Sequence, residues 1–235
     1  MKQPKIIFLF VAIFATLSSC SDTPKDMLVN ISVKGLKKGT VYLQKIEDSL
    51  IVNVDSIFVN TETPFSLEAN IESPELFYLF LDRKSNNPND DRILFFGEKG
   101  TITIETSLEN YFLGAKITGS ASQDILNEYQ AMKKQFQNKR LELFQTYFEA
   151  EKANNKDTLV ILSKASQNLE KRQLLYTINY AISNADSEVA PYLAITDFPA
   201  SATSFLDTLQ KSLSPKVKAS KYGKMLEEYL SENAD

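Results

Sequence analysis

Residue types that commonly carry enzyme chemistry are scarce in this chain. Its 235 residues include no histidine and a single cysteine, Cys20. The usual activator of serine and cysteine nucleophiles is therefore missing, as are most zinc and iron ligand sets. Without a second thiol, disulfides, Cys-x-x-Cys redox chemistry and thiolate metal sites are excluded as well. Any catalysis has to use carboxylates, Lys, Tyr, Ser or Thr, and we expect no metal or cofactor.

Cys20 ends a segment with the pattern of an export signal. Two lysines precede the apolar run 6–17, whose twelve residues are too few to span a bilayer. Two serines then lead into the cysteine, so the segment resembles a bacterial lipoprotein signal. That resemblance implies a signal peptide over residues 1–19, cleavage before Cys20, lipidation of Cys20, and a lipidated tether over residues 20–26.

The lipid chains predict where the protein is held. Two or three acyl chains together anchor a protein stably, whereas a single chain binds a membrane reversibly. Ser21 stands where the usual inner-membrane sorting pattern has Asp, so the expected location is the outer membrane of the cell envelope. The sequence leaves the periplasmic and the surface-exposed orientation open.

Charge restricts the expected partners. Removal of residues 1–19 takes away two lysines and leaves 24 basic and 30 acidic residues, a net charge of −6. An acidic chain without a basic run gains nothing from displacing the counterions of nucleic acid, so we predict no nucleic-acid partner. The expected partners are the membrane, through the lipid anchor, and an unidentified envelope protein.

Turn residues and periodicity change together at Gly119–Ser120. Six of the seven glycines lie at or before this point, and no proline occurs between Pro88 and Pro191. Before the boundary, apolar residues alternate with polar ones, which predicts an antiparallel β-sandwich-like domain over residues 27–119. The predicted strands are 28–33, 40–43, 51–59, 65–71, 76–81, 92–96, 100–104 and 115–118.

Beyond the boundary, apolar residues recur every three or four positions, which predicts an α-helical domain over residues 120–235 and an α+β chain. One stripe contains Ile125, Tyr129, Met132, Phe136, Leu143 or Phe144, and Tyr147. The predicted caps and turns are Ser120 or Ser122, a hairpin turn near 154–156, Asp157–Thr158, and Ser214 before Pro215. Shorter helices are expected near 187–196, 201–212 and 215–232. We interpret the aromatic stripe as core packing, because long helices need an apolar face to be stable in water.

Four Asp-Ser/Thr-aliphatic triplets resemble the acceptor of periplasmic O-glycosylation. The acceptor residues are Ser49, Ser56, Thr158 and Thr208. Average composition gives about one such match in a chain of this length, which makes glycosylation of at least one of them a hypothesis. The alternative is structural, because Asp-Thr also caps helices and Asp55–Ser56 also suits a turn or a strand edge.

Two further motifs favour structural interpretations. Residues 86–91 place oxygen ligands at alternate positions, as a calcium loop does, but the central glycine and the closing Glu are missing. We therefore expect a solvated connection between strands. Residues 97–100 contain two glycines, but neither Lys-Ser/Thr nor a helix follows, so a hairpin turn is favoured over a phosphate-binding loop.

Several stretches together resemble a known family. They are 31–35 with 39–43, 54–56 before 65–70, 73–74, 95–96 with 100–104, and 117–120 before a helix. They are similar to the uncharacterised N-terminal β-domain, domain of unknown function 4369, of thioredoxin-like thiol–disulfide lipoproteins from Gram-negative bacteria. Those proteins usually continue into a thioredoxin-like domain with Trp-Cys-x-x-Cys. This sequence has no Trp and no second Cys, so we expect no thiol–disulfide exchange by this chain itself.

These observations predict a membrane-anchored bacterial lipoprotein that is a non-catalytic binding or accessory module. Two alternatives stay open. The first is an accessory subunit that docks a separate thioredoxin-like oxidoreductase, which co-purification with a Cys-x-x-Cys protein would reveal. The second is a carboxylate-dependent hydrolase, because Asp and Glu alone can serve as acid and base, although no sequence spacing brings two of them together.

Overall fold

The computed structural model describes residues 25–61, 64–83, 91–199 and 203–232, so Cys20 and the predicted signal peptide lie outside it. Within these ranges the chain is α+β, with strands first and helices after them, as predicted. The strands are β1 (Met27–Lys34), β2 (Gly39–Glu47), β3 (Leu50–Val59), β4 (Phe65–Ala69), β5 (Glu75–Asp82), β6 (Arg92–Gly97), β7 (Gly100–Ser107) and β8 (Lys116–Thr118). The helices are α1 (Ala121–Lys152), α2 (Lys156–Ser183), α3 (Val189–Asp197), α4 (Thr203–Ser212), α5 (Pro215–Lys218) and α6 (Lys221–Glu232).

The strands form two four-stranded sheets that pack face to face. Sheet A has the order β4-β1-β7-β8, and sheet B has the order β3-β2-β5-β6. Alternate residues of β1 and of β5 are buried, as the period-two sequence pattern requires. These side chains meet in one apolar core between the sheets, so the sandwich is explained by the alternation along its strands.

Strand pairing differs from the sequence expectation in two places. β1 and β7 pair in parallel, with Met27 opposite Gly100 and Lys34 opposite Ser107, so not every pair is antiparallel. The predicted hairpin turn over residues 97–100 is wrong, because β6 ends in sheet B and β7 begins in sheet A. The chain changes sheets at Gly100, whose φ of +114° suits glycine alone.

α1 and α2 form the predicted long helical hairpin. Ser120 caps α1, since its hydroxyl accepts a hydrogen bond of 3.0 Å from the Gln123 N–H. The predicted cap of α2 at Asp157–Thr158 is wrong, because Asn155 occupies that position and accepts from the Thr158 N–H at 3.1 Å. The expected core stripe also ends early on α1. Phe144 and Tyr147 are exposed, whereas the α1 side chains in the apolar cluster with sheet B, Ile125, Leu126 and Tyr129, all lie in its first turns.

The predicted helix over residues 215–232 is two helices, α5 and α6. Pro215 begins α5 as expected, but the Ser214 side chain makes no capping hydrogen bond. The break lies at Ser220, whose hydroxyl donates to the Val217 carbonyl at 2.6 Å and accepts from the Gly223 N–H at 3.3 Å. Any Cβ at Gly223 would collide with the Val217 carbonyl, so this tight turn needs glycine.

The helices pack against the outer face of sheet B. Phe95 and Phe96 are consecutive on β6, and Phe95 points into the sandwich core while Phe96 points toward the helices. The rings of Tyr192 and Tyr222 contact Phe96 edge-on, with centroids 5.5 and 5.9 Å away. The Phe96 N–H also donates to Gln123 Oε1 at 2.7 Å. Apolar and main-chain contacts therefore both join the helical region to sheet B.

The Tyr222 phenol makes this junction sensitive to alkaline pH. Its oxygen accepts a hydrogen bond from the Leu76 N–H at 3.1 Å, and burial raises its pKa. In the unfolded chain a tyrosine ionises near pH 10, at about its ordinary pKa. Above that pH the unfolded state loses the proton first, so the free energy of unfolding falls as the pH rises.

We predict that Tyr222→Phe makes this alkaline fall shallower, by up to about 1.4 kcal/mol per pH unit between about pH 10 and 12. Urea unfolding of the chain at several pH values measures the slope. Tyr147→Phe is the matched control, because the Tyr147 side chain is exposed. Equal slopes for Tyr222→Phe and the wild type would show that this phenol is not the linked group.

Candidate functional site

A polar cleft of about 610 Å³ lies where the sandwich meets α5 and α6. The end of β2, the segment from β4 to β5, and the start of α6 form its walls. The charged residues along them are Asp26, Lys45, Glu47, Asp48, Glu72, Glu75, Lys221 and Lys224. The cleft therefore combines positive and negative charges, and residues of both the β and the helical regions line it.

Glu75 lies at the centre of the ion pairs in this cleft. It begins β5 and is 7% exposed. Its carboxylate pairs with Lys221 Nζ, and its other oxygen lies 3.6 Å from Lys45 Nζ. Lys45 Nζ also pairs with Glu47 at 2.7 Å, and Lys221 Nζ donates to the Ile46 carbonyl at 2.7 Å. The structure therefore brings two carboxylates, Glu47 and Glu75, to one lysine.

These contacts favour the charged forms of Lys45 and Glu47. The hydrogen bond from Lys45 and its positive charge lower the pKa of Glu47. Burial opposes the charge of Lys45, but the hydrogen bond with Glu47 and the charge of Glu75 outweigh it and raise the Lys45 pKa. A general acid or base works best with a pKa near the operating pH, and both shifts lead away from neutrality. The arrangement suits recognition of polar groups better than proton transfer.

The start of the described chain borders the same cleft. Asp26 lines it, and the Asp26 carbonyl accepts a hydrogen bond from the Gly100 N–H at 2.9 Å. Lys25 lines a neighbouring cavity of about 300 Å³ that shares Lys45 and Glu47 with the cleft.

A second polar cluster lies inside the helical region and was missed by sequence reasoning. The Tyr129 hydroxyl donates to Asp197 and lies 3.0 Å from the Thr177 hydroxyl, while Lys133 Nζ donates to the same Asp197 oxygen at 2.7 Å. Burial and the hydrogen bond to Asp197 raise the pKa of Tyr129. These hydrogen bonds tie α1 to α2 and α3. In the sequence, the four-residue spacing of Tyr129 and Lys133 on α1 was the signal that could have revealed this cluster.

The four glycosylation candidates lie in four different settings. Ser49 is exposed in the turn between β2 and β3, with a φ of +68°. Ser56 is exposed on β3, Thr158 is half-buried in the first turn of α2, and Thr208 is exposed on α4. The Thr208 hydroxyl donates to a main-chain carbonyl one turn earlier, at 3.0 Å. Glycosylation of these residues stays a prediction.

Asp55 has the structural role that the sequence favoured. Its carboxylate accepts from the Ser56 N–H at 2.7 Å and from the Glu68 N–H at 2.8 Å, joining β3 of one sheet to β4 of the other. Of the calcium-loop candidate, residues 86–90 lie outside the described residues. Asp91 is buried and forms an ion pair with Arg83. The predicted solvated position is therefore wrong for Asp91, because its carboxylate pairs with the Arg83 guanidinium.

The described residues contain neither a group of side chains that could hold a metal ion nor a helix that could cross a membrane. Within residues 25–61, 64–83, 91–199 and 203–232, no three acidic side chains gather in an arrangement that would hold a metal ion. Among the helices of these ranges, none combines the length and the apolar composition that crossing a membrane requires.

Comparison with known proteins gives one match. No curated protein and no solved structure matches the chain significantly. A family model described as Domain of unknown function (DUF4369) matches residues 27–126. The matched region covers the whole sandwich and the first turns of α1, and it contributes Lys45, Glu47 and Glu75 to the cleft but not Lys221. The N-terminal sandwich of this chain is therefore similar to the DUF4369 domain over residues 27–126.

Proposed function

We propose that the mature chain is a lipid-anchored, non-catalytic binding module of the bacterial cell envelope, and that a partner protein docks in the polar cleft. The observation that carries the proposal is the set of ion pairs that Glu75 forms with Lys45 and Lys221. Each charge is held in place by a neighbour of opposite sign. Fixed, mixed charges at the rim of a cleft favour specific recognition, because a partner must present the complementary pattern.

The hydrolase alternative is less well supported by the same residues. Catalysis by two carboxyl groups requires one of them to keep its proton near neutral pH. Glu47 and Glu75 approach the same lysine, and the pKa of Glu47 is lowered. Both carboxylates therefore serve as acceptors in ion pairs, an arrangement that favours binding.

The resemblance to β-domains of thioredoxin-like lipoproteins suggests the first partner to test. A separate thioredoxin-like oxidoreductase that docks in the cleft would make this chain its accessory subunit. The proposal in its general form requires only a protein partner in the same envelope compartment. Position-specific cross-linking in cells can distinguish these outcomes, because it reports both the site of contact and the identity of the partner.

The test replaces Lys224, at the rim of the cleft, by a photo-cross-linking residue. We expect an adduct of defined mass that contains one envelope protein, which mass spectrometry identifies. Lys37 is the matched control, because it is an exposed lysine in the turn between β1 and β2 and does not line the cleft. The absence of an adduct from position 224, or the same adducts from both positions, would contradict docking in the cleft.

A further inference from the structure

Two half-buried tyrosines line an open groove on the helical region. Tyr176 and Tyr180 lie one turn apart on α2, with ring centroids 5.7 Å apart and ring planes 28° from parallel. Tyr129 of α1, whose hydroxyl is bonded to Asp197 and Thr177, packs on both rings with centroids 6.2 and 5.6 Å away. Since Tyr129 does not line the groove, the groove follows the sides of the two rings that Tyr129 leaves uncovered.

Polar side chains from both helices complete the groove. Its volume is about 460 Å³, within the range of about 300 to 1,000 Å³ that small-ligand sites occupy. Besides the two tyrosines, the lining residues are Glu128 of α1 and Asn179, Ser183 and Asn184 of α2. Aromatic surface and hydrogen-bonding groups are therefore combined in one concave site, which shares no residue with the polar cleft.

Several of these polar groups are available to a ligand. Glu128 is exposed, and within the described ranges its carboxylate accepts one hydrogen bond, from the Tyr180 hydroxyl at 3.2 Å, and forms no ion pair. Asn179 and Ser183 are also exposed, and the described part of the chain offers their side chains no hydrogen-bond partner. The groove thus presents a carboxylate acceptor beside an amide and a hydroxyl, both of which can donate and accept.

This combination fits a sugar ring better than a cation or an apolar ligand. A pyranose has a face of C–H groups with partial positive charge, which packs on the electron-rich face of a tyrosine ring. Its hydroxyl groups lie around the edge of the ring, where they can donate to a carboxylate and accept from an amide. A cation would use the rings and Glu128 but leave the N–H donors of Asn179 unused. An apolar ligand would bury these polar groups without partners, which is unfavourable.

We propose that this groove binds one or two sugar residues of a glycan, with a sugar ring packed on Tyr176 or Tyr180 and its hydroxyl groups bonded to Glu128 and Asn179. The site is separate from the cleft and does not depend on a protein partner there. An open groove that makes few polar contacts predicts weak binding, with a dissociation constant of about 0.1 to 10 mM for a short oligosaccharide.

Saturation-transfer NMR of the chain with maltotetraose, cellotetraose or chitotetraose, each at about 5 mM, tests the site at the expected affinity. We expect at least one of these neutral sugars to receive saturation, most strongly at the C–H protons on one face of a ring. Because the sugars carry no charge, their binding should be the same at about 50 and 500 mM salt. Tetramethylammonium is the comparison probe for a cation site.

Two substitutions in the groove should weaken this binding. Asn179→Ala should weaken it about three- to tenfold, because it removes hydrogen bonds to the sugar from an exposed side chain that the fold does not use. Asn138→Ala is the matched control, because Asn138 is an exposed asparagine of α1 outside the groove. Tyr176→Ala should weaken it about tenfold by removing a ring, and circular dichroism verifies that this variant keeps its helices.

Three results would overturn the proposal. The first is no saturation transfer to any of the three sugars. The second is a sugar affinity of Asn179→Ala equal to that of Asn138→Ala and the wild type, which would place the bound sugar elsewhere on the chain. The third is saturation transfer to tetramethylammonium alone, which would make the groove a cation site.

Discussion

Phe96→Ala is expected to lower the free energy of unfolding by about 3 to 5 kcal/mol, the usual cost of removing a buried phenylalanine ring. Phe96 is fully buried between sheet B and the helices, and Tyr192 and Tyr222 pack on its ring. Truncation would leave a cavity that neither the sheet nor the helices can close without moving. Urea unfolding of the chain measures the loss.

Phe112→Ala is the control for this prediction. Phe112 is 47% exposed in the connection between β7 and β8, so its truncation should cost less than about 1 kcal/mol. Hydrogen exchange should also accelerate in α3 and α6 of the Phe96→Ala variant, while β1 in the sandwich core stays protected. A similar small loss for both variants, or uniform acceleration across the chain, would contradict the role of Phe96 as the junction.

Strand positions were predictable because alternation is a local property. The pattern predicted strands at 51–59 and 92–96, and the structure has Leu50–Val59 and Arg92–Gly97. Pairing was not predictable in the same way. Whether β7 lies beside β1 in parallel depends on the route of the chain through both sheets, and period-two alternation is the same for either direction.

The helical hairpin was predictable from its stripes, but its exposed end was not. Leu143 and Phe144 both fit a helical period, and only packing decides between them. The structure leaves Phe144 65% exposed while Leu143 is half-buried. A sequence pattern reports which residues are apolar, not whether a neighbouring helix covers them, so an exposed apolar surface resembles a core stripe in sequence.

The cleft could not be read from sequence spacing. Glu75 and Lys221 are 146 positions apart, and they meet because α6 packs beside the start of β5. Glu47 and Glu75 approach each other only through Lys45, whose position depends on the pairing of β2 with β5. Long-range packing creates this site, and no motif of consecutive residues predicts it.

Lipidation at Cys20 is the second large expected effect, because a thioether cannot form on alanine. A Cys20→Ala chain should lose the fatty-acid label and move from the membrane pellet to the soluble fraction, since only several acyl chains anchor a protein stably. Ser21→Ala is the matched control, because it changes the neighbouring residue and keeps the sulfur. It should stay labelled and membrane-bound.

Metabolic labelling with a fatty acid, followed by fractionation of cells that express the wild type and Cys20→Ala, tests most directly the claim that this chain is a membrane-anchored lipoprotein. The predicted result is a labelled wild-type protein in the outer-membrane fraction and an unlabelled, soluble Cys20→Ala variant. A wild-type protein without label, or a Cys20→Ala variant that still labels and still pellets with membranes, would contradict it.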